Sequence, residues 1–210
     1  MHKLYSRDGS GSFVVEAALQ ELGLAYETIP LSKATREHQQ ADYLAINPRG
    51  QIPALVLPDG TVMTETVACL LHLVDCHPAA SLAPETGTSQ RARLYRWMIF
   101  ASVNLYEEAQ RYYYARRYTV DEPGYQGVRA AAAKAFDAHA ALINDELKNS
   151  EGPFLFGQAF SIFDLYLAML VRWHWDYRTF AQANPEIAAL VEAVKSRPVI
   201  APLWKRHFNS

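Results

Sequence analysis

Cysteine is scarce in this chain, and the position of the few cysteines restricts its chemistry. The 210 residues include two cysteines, Cys69 and Cys76, and residues 1–68 contain none. A small secreted domain held together by disulfides would be far richer in cysteine, so we expect a reducing compartment. No Cys-x-x-Cys motif is present, which excludes a protein that exchanges disulfides through its own paired thiols.

Long apolar runs and an excess of one charge are also missing. No apolar stretch approaches the ~20 residues that a membrane-spanning helix requires, and residues 1–8 contain no apolar core of a signal peptide. The 20 basic and 22 acidic residues give a net charge of -2, whereas a nucleic-acid-binding domain usually carries a basic excess. The seven histidines show no close metal-ligand spacing. We therefore expect a cytoplasmic protein that needs no metal and binds neither nucleic acid nor membrane.

Strand and helix patterns alternate along residues 1–80. Short runs with strand-like composition mark the strands, and the turn Pro58-Asp59-Gly60 joins the last two into a hairpin. Apolar residues at helical spacing mark the helices, the first of which ends at Gly23. The predicted elements are strand 3–6, a helix up to Gly23, strand 26–29, a weak polar helix 35–45, strands 54–57 and 61–63, and a helix that opens at residues 64–68 and places Val67, Leu70, Leu71 and Val74 on one stripe. Their β-α-β-α-β-β-α order resembles that of a thioredoxin-like α/β domain.

Strand signals vanish after residues 77–88, which are rich in proline, alanine, serine, glycine and threonine. The apolar run from Leu165 to Val171 predicts a helix buried on all sides, and Ser161-Ile162-Phe163-Asp164 before it has the form of a capping box. Other helices are predicted at 89–115, around 128–143, at 185–195 and from 198 onward. We predict an α/β domain at residues 1–78, a linker at 79–88 and an all-α domain at 89–210.

Three segments resemble motifs of the cytosolic glutathione transferases. Residues 47–53, Asn-Pro-Arg-Gly-Gln-Ile-Pro, are similar to the segment that leads into a strand through a cis-proline in that family. Glu65-Thr66 is similar to its acidic residue followed by Ser or Thr, and residues 160–166 resemble the cap of its buried helix. The resemblance, to a bacterial-type member, implies a thioredoxin-like glutathione-binding domain followed by an all-helical domain.

The resemblance implies that glutathione binds along the first domain. A cis peptide before Pro53 would leave the backbone of Ile52 free to pair with a peptide ligand, and Gln51 would add a contact; an ordinary trans proline is the alternative. At the start of a helix, Thr66 would take the γ-glutamyl carboxylate and Glu65 the ammonium; simple capping, with Thr64 as the N-cap and Glu65 favoured by the helix dipole, is the alternative. Lys33 or Arg36 is placed to supply a cation for the glycyl carboxylate, unless both are only surface charges.

The loop after the first strand, Asp8-Gly9-Ser10-Gly11-Ser12, is the expected position of the glutathione thiol. A hydroxyl that donates to the sulfur, together with the helix N-terminus, would favour the thiolate. The usual serine of serine-type family members aligns near Gly9, and the cysteine of cysteine-type members near Gly11. The candidate hydroxyls are therefore Ser10, which we favour, Ser12, which is equally explained as a helix cap, and Tyr5 behind them.

A second substrate is expected against the first long helix of the all-α domain. Tyr106, Gln110, Tyr113 and Arg117 are spaced four, three and four residues apart and would share one helix face. An aromatic stripe is often simply core, but an arginine and a glutamine on the same stripe suit a wet cleft. We expect this face to receive a small hydrophobic electrophile, with Trp173 and Trp175 nearby.

These expectations together predict a glutathione S-transferase that acts in detoxification as a cytoplasmic homodimer. Glutathione would be the co-substrate and would supply the nucleophilic thiol that the chain lacks. Two alternatives remain open: a non-catalytic ligand-binding or interaction protein on the same fold, and a glutathione-dependent reductase or isomerase.

Overall fold

A four-stranded mixed sheet organises the first part of the chain in the computed structural model, which describes residues 1–208. The strands lie in the order β2-β1-β3-β4, with β1 parallel to β2 and antiparallel to β3, and β4 antiparallel to β3. The elements of this region are β1 (His2–Ser6), α1 (Ser12–Glu21), β2 (Tyr26–Pro30), α2 (Ala41–Leu44), β3 (Ala54–Val56), β4 (Val62–Met63) and α3 (Thr66–Cys76). The predicted thioredoxin-like order is confirmed.

Helix α1 is the centre of the first core. Its residues Phe13, Val14, Val15, Ala18 and Leu19 are completely buried, because α1 packs on β1, on α3 and on the last helix of the chain. Apolar residues buried on several sides of one helix require such cover. The core therefore fixes the N-terminal end of α1, which is where the candidate thiol loop lies.

The polar segment 35–45 forms less helix than predicted. A 3₁₀ turn at Glu37–Gln39 and the single turn of α2 replace the expected continuous helix. Arg36 has a left-handed φ of 54°, and Gln40 is extended. Tyr43 is the one buried residue of the two short elements, so little apolar burial supports a longer helix here.

The second compact unit, Ala83–Val194, is helical. Its helices are α4 (Ser89–Phe100), α5 (Glu107–Tyr113), α6 (Tyr125–Lys148), α7 (Ile162–Arg172), α8 (Tyr177–Ala183) and α9 (Pro185–Lys195), with a π-helical segment, Ala101–Tyr106, between α4 and α5. Helix α7 is buried from Ile162 to Val171, as predicted. The Asp164 carboxylate caps it by accepting bonds from the Ser161 N–H at 2.7 Å and the Leu155 N–H at 2.9 Å.

The last helix, α10 (Ile200–Phe208), belongs to the first unit rather than to the second. It packs on α1, where Trp204 and Phe208 meet the ring of Phe13 at centroid distances of 5.6 and 5.0 Å. This grouping differs from the predicted division, in which residues 89–210 form one domain. The sequence of α10 reveals a face to bury, but it does not reveal which helix covers that face. The boundary between Leu82 and Ala83 falls within the predicted linker 79–88.

No helix among residues 1–208 combines the length and the apolar character needed to cross a bilayer.

Candidate functional site

The loop between β1 and α1 brings the two candidate serines together. The Ser10 hydroxyl donates to the carbonyl oxygen of Arg7 at 2.7 Å, and its oxygen lies 2.9 Å from that of Ser12. The Ser12 oxygen accepts the Arg7 N–H at 3.1 Å, and its proton reaches either Ser10 or the Arg7 carbonyl oxygen. Ser12 is fully buried, whereas Ser10 keeps 8% of its surface exposed. Both hydroxyls therefore belong to one network around the backbone of Arg7.

Ser12 is not the N-cap of α1. The N-cap is Gly11, which has helical dihedral angles and makes no side-chain capping bond. Ser12 is the first residue of the helix, and its hydroxyl turns back to Arg7 instead of covering the free N–H groups ahead of it. The capping alternative considered for Ser12 is therefore wrong, and its side chain fixes the loop instead.

Tyr5 lies on the central strand and contacts a tyrosine that the sequence did not single out. Its ring packs on that of Tyr43 with the centroids 5.4 Å apart. The Tyr43 hydroxyl donates to the carbonyl oxygen of Gln51, which also accepts from the Asn47 side chain at 2.8 Å. Burial raises the pKa of Tyr43 to about 12, so its hydroxyl remains a hydrogen-bond donor at neutral pH. Tyr5 thus supports the segment that precedes Pro53.

The segment 47–53 presents backbone groups next to β3. The peptide between Ile52 and Pro53 is cis, as predicted. Gly50 has a φ of +60°, and a Cβ there would lie 2.7 Å from the carbonyl oxygen of His38, so glycine is required. Asn47 and Tyr43 hold the Gln51 carbonyl, while the N–H and C=O of Ile52 have no hydrogen-bond partner within residues 1–208.

Glu65 stands in a strained conformation at the start of α3. It is the N-cap residue, with φ at 63° and ψ at 107°, a region that non-glycine residues rarely adopt. Its carboxylate is exposed and pairs with Arg49 at 2.8 Å, while Thr66 beside it is buried. Strained backbone of this kind costs about 1–3 kcal/mol and clusters at functional sites.

Arg49 was missed by the sequence analysis, although it lies inside the motif 47–53. The available signal was a cation in a motif expected to bind a ligand that carries two carboxylates. Its guanidinium and the Glu65 carboxylate are each 64% exposed, and exposed pairs of this kind add little to stability. Their exposure leaves both charges accessible to a zwitterionic ligand.

Lys33 and Arg36 are both exposed in the segment before α2. Neither side chain has an ion-pair partner in the part of the chain that the structure describes. The left-handed φ of Arg36 sets the turn that precedes the 3₁₀ segment. The two cations are therefore available to an anion, but no contact within the fold directs either of them.

In the second unit, Trp173 connects two of the predicted pocket residues. The rings of Tyr106 and Trp173 meet edge to face at 5.4 Å, and the Tyr113 hydroxyl donates to the Trp173 carbonyl oxygen at 2.7 Å. Gln110 lies between these tyrosines along α5, partly exposed. Trp175 is separate from this group, because it stacks on Tyr112 at 4.0 Å.

Arg117 does not share the face of Tyr106, Gln110 and Tyr113. Helix α5 ends at Tyr113, and Tyr114 leaves the helical region with φ at -125° and ψ at 39°. Arg117 therefore lies in the following 3₁₀ turn, with its guanidinium 4.2 Å from the centre of the Tyr114 ring. The prediction that Arg117 shares this face is wrong, because the helix is not continuous as far as Arg117.

Histidine, cysteine, aspartate and glutamate side chains are nowhere grouped in threes or more for a metal ion within residues 1–208. A thioredoxin-like sheet with an exposed acid at a strained helix start, together with a separate helical unit, defines the class of glutathione-transferase folds.

Comparison with known proteins identifies the family within that class. Residues 12–76 match the profile of the glutathione S-transferase N-terminal domain, and residues 111–206 match that of its C-terminal domain. The glutathione S-transferase GstA of Escherichia coli O157:H7 is 28% identical over 199 residues, which cover 94% of each chain.

Two solved structures with bound glutathione are similar over nearly the whole chain. A glutathione transferase homologue from Sulfitobacter has a TM-score of 0.88 and 28% identity, with coverage of 97% of this chain and 96% of that one. A sphingomonad glutathione S-transferase has a TM-score of 0.82 and 29% identity, with coverage of 99% and 100%. This chain belongs to the glutathione S-transferase family, as a bacterial-type member.

Proposed function

We propose that the protein is a glutathione S-transferase that activates the thiol of glutathione for attack on a small hydrophobic electrophile. The observation that carries this proposal is the strained, exposed Glu65 beside the buried Thr66 at the start of α3. A folded chain retains such strain where the resulting geometry has a use. Family membership and the glutathione bound to similar structures give that geometry its expected ligand.

Recognition of glutathione would divide between its two ends. The γ-glutamyl ammonium would pair with Glu65, and the neighbouring carboxylate would accept bonds from the hydroxyl and N–H of Thr66 at the helix N-terminus. The unpaired N–H and C=O of Ile52 would bind the peptide backbone as an added strand, beside Gln51 and Pro53. Lys33 or Arg36 would supply the cation for the glycyl carboxylate.

Activation of the thiol would depend on Ser10. To donate to the sulfur, the Ser10 proton must leave the Arg7 carbonyl oxygen, which would normally leave a buried acceptor unpaired. The Ser12 hydroxyl lies 3.1 Å from that same carbonyl oxygen and can replace the lost donor. The Ser10 hydroxyl can therefore turn its hydrogen towards a ligand while the Arg7 carbonyl oxygen keeps a donor, which is the Ser12 hydroxyl. Tyr5 would act from behind, through Tyr43 and the segment 47–53.

The non-catalytic alternative rests on the same network. Both serine hydroxyls are already satisfied inside the loop, so a protein that binds glutathione without activating it fits this arrangement. Chromatography on immobilised glutathione followed by a conjugation assay separates the two functions. Retention with turnover of an aryl halide supports the transferase, whereas retention without turnover supports the binding protein. Failure to retain the protein would contradict both.

The electrophile would bind to the face formed by Tyr106, Gln110 and Tyr113 together with Trp173. Two tyrosine rings and an indole supply an apolar surface, and Gln110 supplies a polar group for orientation. Arg117 is left out of this face because it lies in the next turn.

A homodimer is also proposed, on the evidence of an exposed apolar stripe. Tyr95, Ile99 and Val103 recur every four residues along α4 and the π-helical segment, with 39%, 52% and 55% of their surface exposed. A two-fold interface is the commonest way to cover such a surface. Light scattering should report about twice 23.6 kDa. Ile99→Glu should halve that mass, whereas Leu142→Glu, at another exposed apolar residue on α6, should leave it unchanged.

The working compartment is proposed to be the cytoplasm. Cys69 and Cys76 are both free thiols in this fold, and a reducing environment maintains that state. Detoxification is the role that a glutathione conjugation activity would serve there.

A further inference from the structure

A buried histidine from the last helix reaches the thiol loop. The His207 side chain has no exposed surface, and its Nδ1 accepts the N–H of Gly9 at 3.3 Å. The backbone of α10 is equally close, because a Cβ placed on Gly9 would lie 3.5 Å from the His207 carbonyl oxygen. Gly9 directly precedes Ser10, so one end of the serine loop is tied to α10.

The contacts of His207 involve both ring nitrogens. A neutral imidazole has one donor nitrogen and one acceptor nitrogen. With Nδ1 accepting from Gly9, the proton of a neutral ring is on Nε2, which lies 3.2 Å from a Glu16 carboxylate oxygen and 2.9 Å from Arg206 Nη2. A carboxylate on the far nitrogen is a common device for fixing the tautomer of a histidine.

Glu16 remains a carboxylate although it is buried. Burial by itself would raise the pKa of Glu16, but hydrogen bonds from His207 and Arg206 outweigh that effect and hold the pKa below its ordinary value. The Tyr26 hydroxyl donates to the other carboxylate oxygen at 3.2 Å. A charged acceptor is therefore fixed behind the imidazole.

Charged groups face His207 from each element around it. Glu16 comes from α1, Asp8 from the loop at 3.6 Å, and Arg206 from α10 itself, while Tyr26 of β2 contacts Glu16. Arg206 also pairs with both acids. The ring itself is buried, whereas the side chains of Asp8 and Arg206 are 63% and 47% exposed, and the Gly9 N–H bonds to the ring from the backbone of the loop.

Contacts other than this bond also dock α10 on α1. The ring of Phe13 packs against Trp204 and Phe208, and Arg197 forms a two-bond pair with Glu21, at 2.8 Å in each bond. These contacts already attach the last segment to α1. The bond from Gly9 is a further contact, and it joins α10 to the thiol loop rather than to α1.

We propose that His207 is a positioning residue for thiol activation, acting through Gly9 on the loop that presents Ser10. This inference rests on the proposed transferase function. Loss of the Gly9 bond would let the loop relax and move the Ser10 hydroxyl away from the sulfur. Glutathione affinity would change little, because the contacts at Ile52, Glu65 and Thr66 would supply most of the binding.

Two substitutions of His207 separate the effect of the Gly9 bond at Nδ1 from the effect of the Glu16 contact at Nε2. The side-chain oxygen in His207→Asn occupies a position near Nδ1 and can still accept from Gly9, but the contact with Glu16 is lost. The side-chain amide in His207→Gln reaches the position of Nε2 and can still donate to Glu16, but no acceptor remains for Gly9. Both variants place a buried amide in the cluster, so their melting temperatures should fall by similar amounts.

The activities of the two variants should differ. We expect kcat for glutathione conjugation to fall about tenfold in His207→Gln with KM for glutathione little changed, and less than about threefold in His207→Asn. The ultraviolet absorbance of the bound thiolate should follow the same order. Equal losses of kcat in the two variants, or a larger loss in His207→Asn, would overturn the inference.

Nuclear magnetic resonance tests the contact without activity. The wild-type protein labelled with ¹⁵N should show a coupling between the Gly9 amide nitrogen and His207 Nδ1, with the ring proton on Nε2. A proton on Nδ1 at neutral pH would overturn the inference. If the wild-type protein conjugates glutathione and the two variants lose equal activity, only this inference is overturned. If the wild-type protein never conjugates glutathione, the proposed function is overturned as well.

Discussion

The two halves of the candidate glutathione site satisfy their polar groups in opposite ways. At the recognition half, Glu65 and Arg49 are exposed and the backbone of Ile52 has no partner within residues 1–208. At the thiol half, the hydroxyls of Ser10 and Ser12 are buried and bonded to the backbone of Arg7. The first half has open groups for a ligand, and the second must exchange an internal bond for one.

This difference predicts that binding and activation respond to different residues. The exposed pair Glu65–Arg49 adds little to stability and can therefore exchange its bond for a ligand, and the Ile52 backbone gains partners only when a ligand binds. A closed network supplies little affinity, because each new bond replaces an old one. It can still act selectively on the thiolate, which is a stronger acceptor than the neutral thiol. The following substitutions test that division.

Ser10→Ala should have the largest effect. The loss of a positioned donor to the sulfur should lower kcat about 10²-fold, by the measure of other oxyanion-type donors, with the dissociation constant for glutathione nearly unchanged. Steady-state kinetics and calorimetry on one preparation measure both quantities. A fall in affinity equal to the fall in kcat would show that the thiol half also supplies binding, and the comparison would fail.

Glu65→Gln should weaken glutathione binding and leave the chemistry of bound glutathione intact. The ammonium loses a charge-assisted partner worth about 1.5–3 kcal/mol, which calorimetry measures as a change in the dissociation constant. Glu27→Gln, a matched change at an exposed residue of β2, should have no effect. Unchanged affinity for glutathione in the Glu65 variant would show that Glu65 does not bind the ammonium group.

Ser12→Ala should mainly reduce stability. The Arg7 N–H loses its buried acceptor, which should lower the free energy of unfolding by about 1–3 kcal/mol in urea titrations. A smaller loss of kcat than in Ser10→Ala should accompany it, since Ser12 supports the network without touching the ligand. If kcat falls further in Ser12→Ala than in Ser10→Ala, the roles assigned to the two serines are reversed.

The Asp164 cap sharpens the comparison, because it is a buried network with no proposed ligand. Burial raises the pKa of Asp164 to about 6 in the folded protein, from 3.8. The folded state therefore holds this proton more tightly than the unfolded state, and stability from this group is lost as the pH rises through 6. Between pH 5 and 7 the wild type should lose about 1 kcal/mol relative to Asp164→Asn in free energy of unfolding. If the free energies of unfolding of the two proteins change with pH in parallel, the raised pKa of Asp164 is contradicted.

Much of this architecture follows from patterns within short segments. Three predicted features are confirmed: the capping box at Ser161 and Asp164, the cis-proline of the motif 47–53, and the alternation of strands and helices. Each depends on residues within a few positions of one another, where spacing alone defines the possible contacts. Local sequence therefore predicts elements and their ends well.

The missed features depend on contacts between distant segments or on departures from ideal helix geometry. His207 meets Gly9 across 198 positions, and no periodicity in either segment predicts that contact. The π-helical segment at Ala101–Tyr106 and the early end of α5 move Arg117 off its expected face. The buried state of Ser10 and Ser12 follows from a turn of the loop that their sequence leaves open.

The pKa of the glutathione thiol in the complex is the sharpest test of whether the protein activates glutathione. A free thiol titrates near ~8.5, and thiolate absorbance of bound glutathione measured against pH gives the value in the protein. We predict a thiol pKa well below that of free glutathione in the wild type, and a return towards the free value in Ser10→Ala. Bound glutathione that titrates like free glutathione in the wild type would contradict the proposed activation and leave a protein that only binds the peptide.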